Sequence, residues 1–350
     1  MRDILKTGSA VSRLMPDGHI RFLAATVVLI FISMASAMPA QFPTAANLQS
    51  MAFQMAELGI LSAAMTLALL IGGIDLSVTA MANLSAITAA LVMTRLAGAG
   101  ASAGQVTVAV ALALLVSLAV GVACGMVNGL LIGRAGVPAI LVTLGTLTLY
   151  SGLGYAITKG RAVHGVPDPV LFLGIGTVWG IPVPLIIFSV VVGIASTLLH
   201  RTSFGFKVYM LGSNALAARF SGIDNPGITM RTHMIGGFLS AIAGFVSLAR
   251  TNSANAEYGS SYLLMAILVA VLGGISVNGG HGRLAGVVLA LVSLQMLSTG
   301  FNMLLSRYSG SNFFRDFAWG FLLLFVMVFA RNRIGPLRTG RFFWQRSRTQ

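Results

Sequence analysis

Acidic residues are scarce in this chain: eight Asp and Glu stand among 350 residues, and charged residues of all kinds make only 9%, against roughly 25% in an ordinary soluble domain. A water-soluble body of this size has to cover itself with Lys, Arg, Asp and Glu, so a soluble globule is excluded and the solvent must be largely lipid. Cysteine is nearly missing too. The one thiol, Cys124, lies in an apolar stretch, which excludes an internal disulfide and a Cys-rich metal site and leaves a small core residue. Also absent are G-x-x-x-x-G-K-[ST], H-E-x-x-H and G-x-S-x-G, so no phosphate loop, zincin site or nucleophile elbow is expected. The histidines, His19, His164, His200, His233 and His281, are scattered singly. No catalytic, cofactor-binding or metal site is expected on this chain.

Apolar residues are plentiful, at 56%. A helix needs about 20 mainly apolar residues to cross the hydrocarbon core, and ten segments qualify: 22–40, 54–72, 76–96, 105–127, 137–157, 181–199, 232–250, 262–280, 284–305 and 313–330. The expected fold is an all-α polytopic membrane protein of about ten transmembrane helices. A basic segment 1–21 precedes the membrane domain 22–330, and a basic tail 331–350 follows it. Ala35-Ser36-Ala37 after the first apolar run imitates a signal-peptide cleavage site, but the basic region and the apolar run are both long for one. We read that run as the first span.

The net charge of +14 would suggest nucleic acid in a soluble protein. Here the bases sit between apolar runs. With a cytoplasmic N-terminus, sixteen of the 22 fall on the inner side and six on the outer, which satisfies the positive-inside rule and puts both termini in the cytoplasm. No nucleic-acid partner is expected, and the six arginines from Arg331 to Arg348 suit anionic headgroups.

Without catalytic residues, such a domain can be a transporter, a channel or a scaffold. The 41 glycines, many inside apolar spans, allow helices to approach closely and to break locally. Deep ionisable groups are few, Glu57 and Asp75, which disfavours a carrier coupled to an ion gradient.

Three motifs stand out. Gly72-Gly73-Ile74-Asp75-Leu76-Ser77-Val78 joins spans two and three; its glycines permit a reversal, and Asp75 and Ser77 can take the free amides that open the next helix. In the inner loop 201–231, the stretch from Gly212 through Ser221 to Gly222 reads as a short helix with Asn214 as cap and Gly222 as stop. Leu216 and Phe220 share one face of it, and Ala217 and Ala218 are small enough to seat in a groove of another protein. The third, Val271 to Arg283, holds Gly273, Gly274, Gly279, Gly280 and Gly282. It permits irregular backbone at a membrane boundary, suited to the exit of a passage. The likeness of Leu70-Ile71-Gly72-Gly73-Ile74 to Val271-Leu272-Gly273-Gly274-Ile275 hints at an internal repeat.

In this order and with this hydropathy, the motifs resemble the permease subunits of bacterial ABC importers for monosaccharides, the ribose, xylose and arabinose type, over about residues 50–333. The family patterns G-G-I-D-L-S-V-G, G-x-N-x-x-A-A-x-x-S-G-I and L-G-G-x-S-x-x-G-G-x-G stand here as Gly72 to Val78, Gly212 to Ile223 and Leu272 to Gly282. Thr79 replaces the glycine that ends the first, and His281 stands where Arg is common in the third. The related branched-chain amino acid permeases usually lack the G-G-I-D-L-S signature.

The resemblance implies a bacterial inner membrane, cytoplasmic ABC ATPase subunits that hold the ATP and Mg, a second permease copy or paralogue, and a periplasmic solute-binding protein. It implies that Asn214 to Ser221 is the coupling helix seated on the ATPase. Polar residues in or bordering the spans, Asn83, Ser85, Thr88, Asn128, Thr143, Thr146 and Tyr150, are candidates for the solute passage together with Gly273, Gly274, Gly279 and Gly280. The rivals are an ion-coupled secondary transporter, a permease for branched-chain amino acids, and a channel or scaffold.

Overall fold

The computed structural model describes residues 18–98 and 100–305. Residues up to Gly300 form one compact unit and those from Phe301 a second. The basic N-terminal segment up to residue 17, the expected span 313–330 and the tail 331–350 lie outside the described residues.

Among the described residues, eight helices are long and apolar enough to cross a membrane. They are α1 (Gly18–Ala37), α2 (Ala45–Leu70), α3 (Val78–Leu96), α4 (Ala103–Gly133), α5 (Ala139–Thr158), α7 (Val183–Arg201), α10 (Asn225–Thr251) and α12 (Leu284–Leu304). Shorter helices are α6 (Asp168–Ile175), α8 (Ser203–Ser213), α9 (Ala215–Phe220) and α11 (Tyr262–Leu272). The described residues also hold four two-residue strands: β1 (Val163–His164) pairs with β4 (Ser253–Ala254), and β2 (Thr177–Val178) with β3 (Ile181–Pro182).

Polar residues at the ends of these apolar runs set the boundaries. Thr44 accepts the Asn47 amide to open α2. Ser102 and Gln105 exchange a capping box at the start of α4, and Asp224 takes the Gly227 amide before α10. Lys159 and Asn252, both with positive φ, close α5 and α10.

The second and seventh expected spans start earlier, at Ala45 and Asn225, and two others differ in ways that bear on the site. The fourth runs on to Gly133, which brings Asn128 into the helix. The eighth is cut short: α11 stops at Leu272 because Gly274 turns left-handed, at φ +89°, and the backbone stays irregular up to α12. Only its first half is helical, and before it the chain leaves α10 at Asn252, pairs through β4 and returns as the stretch 255–261.

The hint of a repeat holds for geometry but not for register. Gly72 and Gly73 donate to Leu69 and Ala68. Gly274 and Ile275 donate to Val271 and Ala270 in the same pattern, one residue later than the sequence likeness places it.

α10 is central and packs against α2, α3, α4 and α6. Its closest neighbour is α4, on which Gly121, Gly125, Gly129 and Gly133 recur every fourth residue. A Cβ on Gly129 would lie 2.6 Å from the Met230 Cα, and one on Gly125 would overlap the His233 carbonyl oxygen. The two backbones touch, as small-residue stripes allow in lipid, where packing and not water exclusion holds helices together. α1, α4 and α5 turn Phe22, Leu29, Leu115 and Leu141 outward, as helices facing hydrocarbon do.

Candidate functional site: a junction of three glycine motifs

The three motifs read from the sequence meet in space. At the end of α2, Gly72 takes φ +83° and leaves the Leu70 carbonyl pointing out of the helix. That oxygen accepts the Gly280 amide at 2.9 Å. A Cβ on Gly279 would stand 2.8 Å from both the Gly72 nitrogen and the Gly212 oxygen, and one on Gly212 would overlap the Leu70 oxygen. Only glycine permits this approach. Ser213 donates to the Gly280 carbonyl at 3.4 Å and Tyr209 to that of Gly282 at 2.8 Å. Burial raises the Tyr209 phenol above its ordinary range, which keeps it a neutral donor.

α9 begins one residue past this junction. Asn214 accepts the Ala217 amide at 2.9 Å, Ser221 donates to the Ala217 carbonyl at 3.0 Å, and Gly222, at φ +78°, ends the turn. Asn225 reaches back to the Ala215 carbonyl at 2.7 Å, so the short helix is tied at both ends. Its outward face is apolar: Leu216 is 63% exposed and Phe220 84%. The two alanines do not act together. Ala217 is exposed, but Ala218 is fully buried within this chain, which corrects the expectation that both seat in a partner's groove.

Above the hairpin lies a buried polar chain. Asp75 does not take the first amides of α3. Its Oδ1 accepts the Ser77 amide at 2.9 Å and the Ser77 hydroxyl at 2.6 Å, and Ser77, at the cap position, makes no cap bond. Asn128 Nδ2 donates to Ser77 Oγ at 2.7 Å, and Tyr150 donates to the Cys124 carbonyl at 2.9 Å and to Asn128 Oδ1 at 3.4 Å. Thr143 donates to the Ile74 carbonyl at 3.0 Å. Four passage candidates therefore sit in helix contacts: Asn128, Thr143, Tyr150 and, buried beside them on α5, Thr146. Ser85 is buried with its hydroxyl unpartnered, and Thr88 donates to the Ser85 carbonyl at 2.9 Å. Gly279 and Gly280 are buried in the junction. Gly273 packs on the backbone of Gly286 and Val287, and Gly274 on the His19 ring, whose Nε2 lies 3.3 Å from the Leu272 carbonyl.

Asn83, of those candidates, lines a cavity among the described residues. The cavity, of about 440 Å³, opens between α3, α5 and the stretch that returns after β4. α3 contributes Thr79 and Asn83, the former at the position where the first motif departs from its pattern. α5 contributes Leu147, Thr148, Ser151 and Tyr155, the face opposite to Thr143, Thr146 and Tyr150. Ala256, Glu257 and Ser260 close it, and Asn83 Nδ2 holds the Ala256 carbonyl at 3.0 Å. The candidates read from the sequence lie on another face of α5 than this cavity, because both faces carry hydroxyls and only packing against α4 distinguishes them.

Glu57, the deepest acid besides Asp75, is not free to bind an ion. Arg250 Nη2 meets its Oε2 at 3.0 Å, joining α2 to the end of α10.

Comparisons with known proteins agree with this picture. The family described as "Branched-chain amino acid transport system / permease component" matches residues 47–330. The ribose import permease protein RbsC of Bacillus subtilis is 33% identical over 315 residues, 89% of this chain and 92% of the relative. The L-arabinose transport system permease protein AraH of Escherichia coli is 30% identical over 314 residues, 89% and 90% of the two chains. The autoinducer 2 import system permease protein LsrD of Klebsiella pneumoniae is 32% identical over 253 residues, 70% and 73%. No solved structure matches the chain.

Proposed function

Since the chain belongs to the permease-component family of branched-chain amino acid transport systems, whose profile spans residues 47–330, we propose that it is the membrane permease subunit of an ATP-driven ABC importer for a sugar or sugar-like solute. The similar proteins are named for ribose, L-arabinose and autoinducer 2, and that favours a sugar over the amino acids of the family description.

The observation that carries the mechanism is the meeting of Gly72, Gly212 and Gly280 directly behind the exposed pair Leu216 and Phe220. In this reading α9 is the coupling helix of the cytoplasmic loop 201–231. A solute-binding protein delivers its load on the outer side of the inner membrane. ATP and Mg act on separate ATPase subunits, whose closure pushes α9. Because the chain before α9 runs back through Ser213 into the junction, the push reaches the end of α2 and the segment between α11 and α12 together. This chain and a second permease then rock between outward- and inward-open forms. The charge bias of the sequence supports ten spans with both termini cytoplasmic, and the chain itself performs no catalysis.

The test is uptake into vesicles that hold the complete complex, with Leu216 and Phe220 both changed to Asp. ATP-driven uptake is expected to fall to background with the permease still inserted and folded. Normal uptake with normal assembly would remove α9 from the coupling role. An ion-coupled carrier would instead give uptake by the permease alone that an uncoupler abolishes.

A further inference from the structure

The cavity between α3, α5 and residues 255–260 is not used by the coupling junction, yet its size falls within the roughly 300–1,000 Å³ of small-molecule sites. Its polar groups have bonding capacity to spare. Asn83 commits its amide nitrogen to Ala256 and leaves Oδ1 without a partner among the described residues. The hydroxyls of Thr79, Ser151 and Ser260 make no hydrogen bond among the described residues. Glu257 brings a carboxylate that forms no ion pair among them, with the Tyr155 hydroxyl as its near neighbour. Among the described residues, no Lys, Arg or His lines the wall.

This donor set discriminates between solutes. Adjacent hydroxyls can donate to the two oxygens of one carboxylate, and amide and hydroxyl oxygens accept others. An amino acid could set its ammonium on Glu257 but would leave its own carboxylate with no cation among the lining residues, and an anion would be repelled. We propose that the cavity is a holding site for a neutral polyhydroxylated monosaccharide in transit, with Glu257 as the acceptor of adjacent hydroxyls and Asn83 and Ser151 as selectivity residues. The proposal rests on the reading of the chain as a sugar-importer permease.

The experiment measures ATP-driven uptake by the complete complex in vesicles, with tritiated D-ribose, L-arabinose, D-xylose and L-leucine as probes. Glu257→Ala is expected to lower uptake of the preferred pentose about tenfold, the consequence of losing a charge-assisted hydrogen bond. ATP hydrolysis stimulated by the loaded binding protein is expected to persist. Glu257→Gln keeps the shape and is expected to change the ranking among the three pentoses. Ser151→Trp fills the cavity and is expected to block uptake while the complex still assembles. Pentose uptake within twofold of wild type in all three variants would overturn the holding site and leave the importer standing. Wild-type uptake of leucine with no pentose would overturn the sugar reading itself.

Discussion

The amide of Gly280 donates to the carbonyl oxygen of Leu70 at 2.9 Å, a main-chain bond between residues that the sequence places at the ends of two different spans. Gly212 packs against the same oxygen. The end of α8 is thereby held against the end of α2 and the irregular segment after α11, chiefly through main-chain atoms, with Ser213 and Tyr209 adding side-chain bonds.

Substitution at this contact is therefore expected to uncouple the machine before it unfolds it. Gly212→Ala, the smallest change, places a methyl group where the Leu70 carbonyl stands, so the two backbones have to move apart. ATP hydrolysis in the assembled complex should lose its stimulation by the loaded binding protein, measured as the ratio of rates with and without it. An unchanged ratio would mean that the junction does not transmit.

Glu57 and Arg250 give a prediction about stability. The carboxylate is 5% exposed and Arg250 keeps an unpartnered Nε. Removing one partner strands the other charge, so Glu57→Gln is expected to cost about 3–5 kcal/mol. A double change of Glu57 and Arg250 to Leu should fall closer to wild type than either single change. Thermal unfolding in detergent reads both, and additive losses would contradict a buried pair.

Asn128 gives a smaller one. Its amide spans α4 and the α2–α3 hairpin through Ser77, and hydrogen bonds between membrane helices contribute about 1–2 kcal/mol in model systems. Asn128→Leu is expected to lose about that much in a detergent melt. Solute preference should stay unchanged, because Asn128 lies off the cavity. A shift in preference would return it to the passage.

The glycine stripe on α4 predicts a position effect. Gly125→Leu drives a side chain into the backbone of His233 and Met234, and should prevent stable folding in detergent, as size-exclusion profiles would register. Gly145→Leu, on α5 where an added Cβ meets open space, is expected to fold. Equal behaviour of the two would remove the stripe as the seam between α4 and α10.

Most of the helices were legible from hydropathy, because an apolar run in lipid has few alternatives to helix. Caps at Asn214 and Gly222 were legible for a similar reason: each uses a local, sequence-adjacent bond. Long-range choices were not. Ser77 takes the Asn128 amide only because α4 lies beside the hairpin, and Ala218 is buried only because α9 folds back on its own chain. The spacing of Gly121, Gly125, Gly129 and Gly133 was present in the sequence and went unread as a seam. Glu257 gave no signal at all, since the return of the chain after β4 depends on pairing with β1, far away in sequence.

Main-chain contact at Gly212 also bears on stiffness. Side chains at an interface can hop between rotamers and swallow a small displacement, but a carbonyl against a glycine has no such slack. A nudge delivered at Phe220 travels along one covalent strand to Gly212 and meets Leu70 with no rotatable group between them. The short lever is rigid where it bears, and any residue larger than glycine at its fulcrum has to push that carbonyl aside.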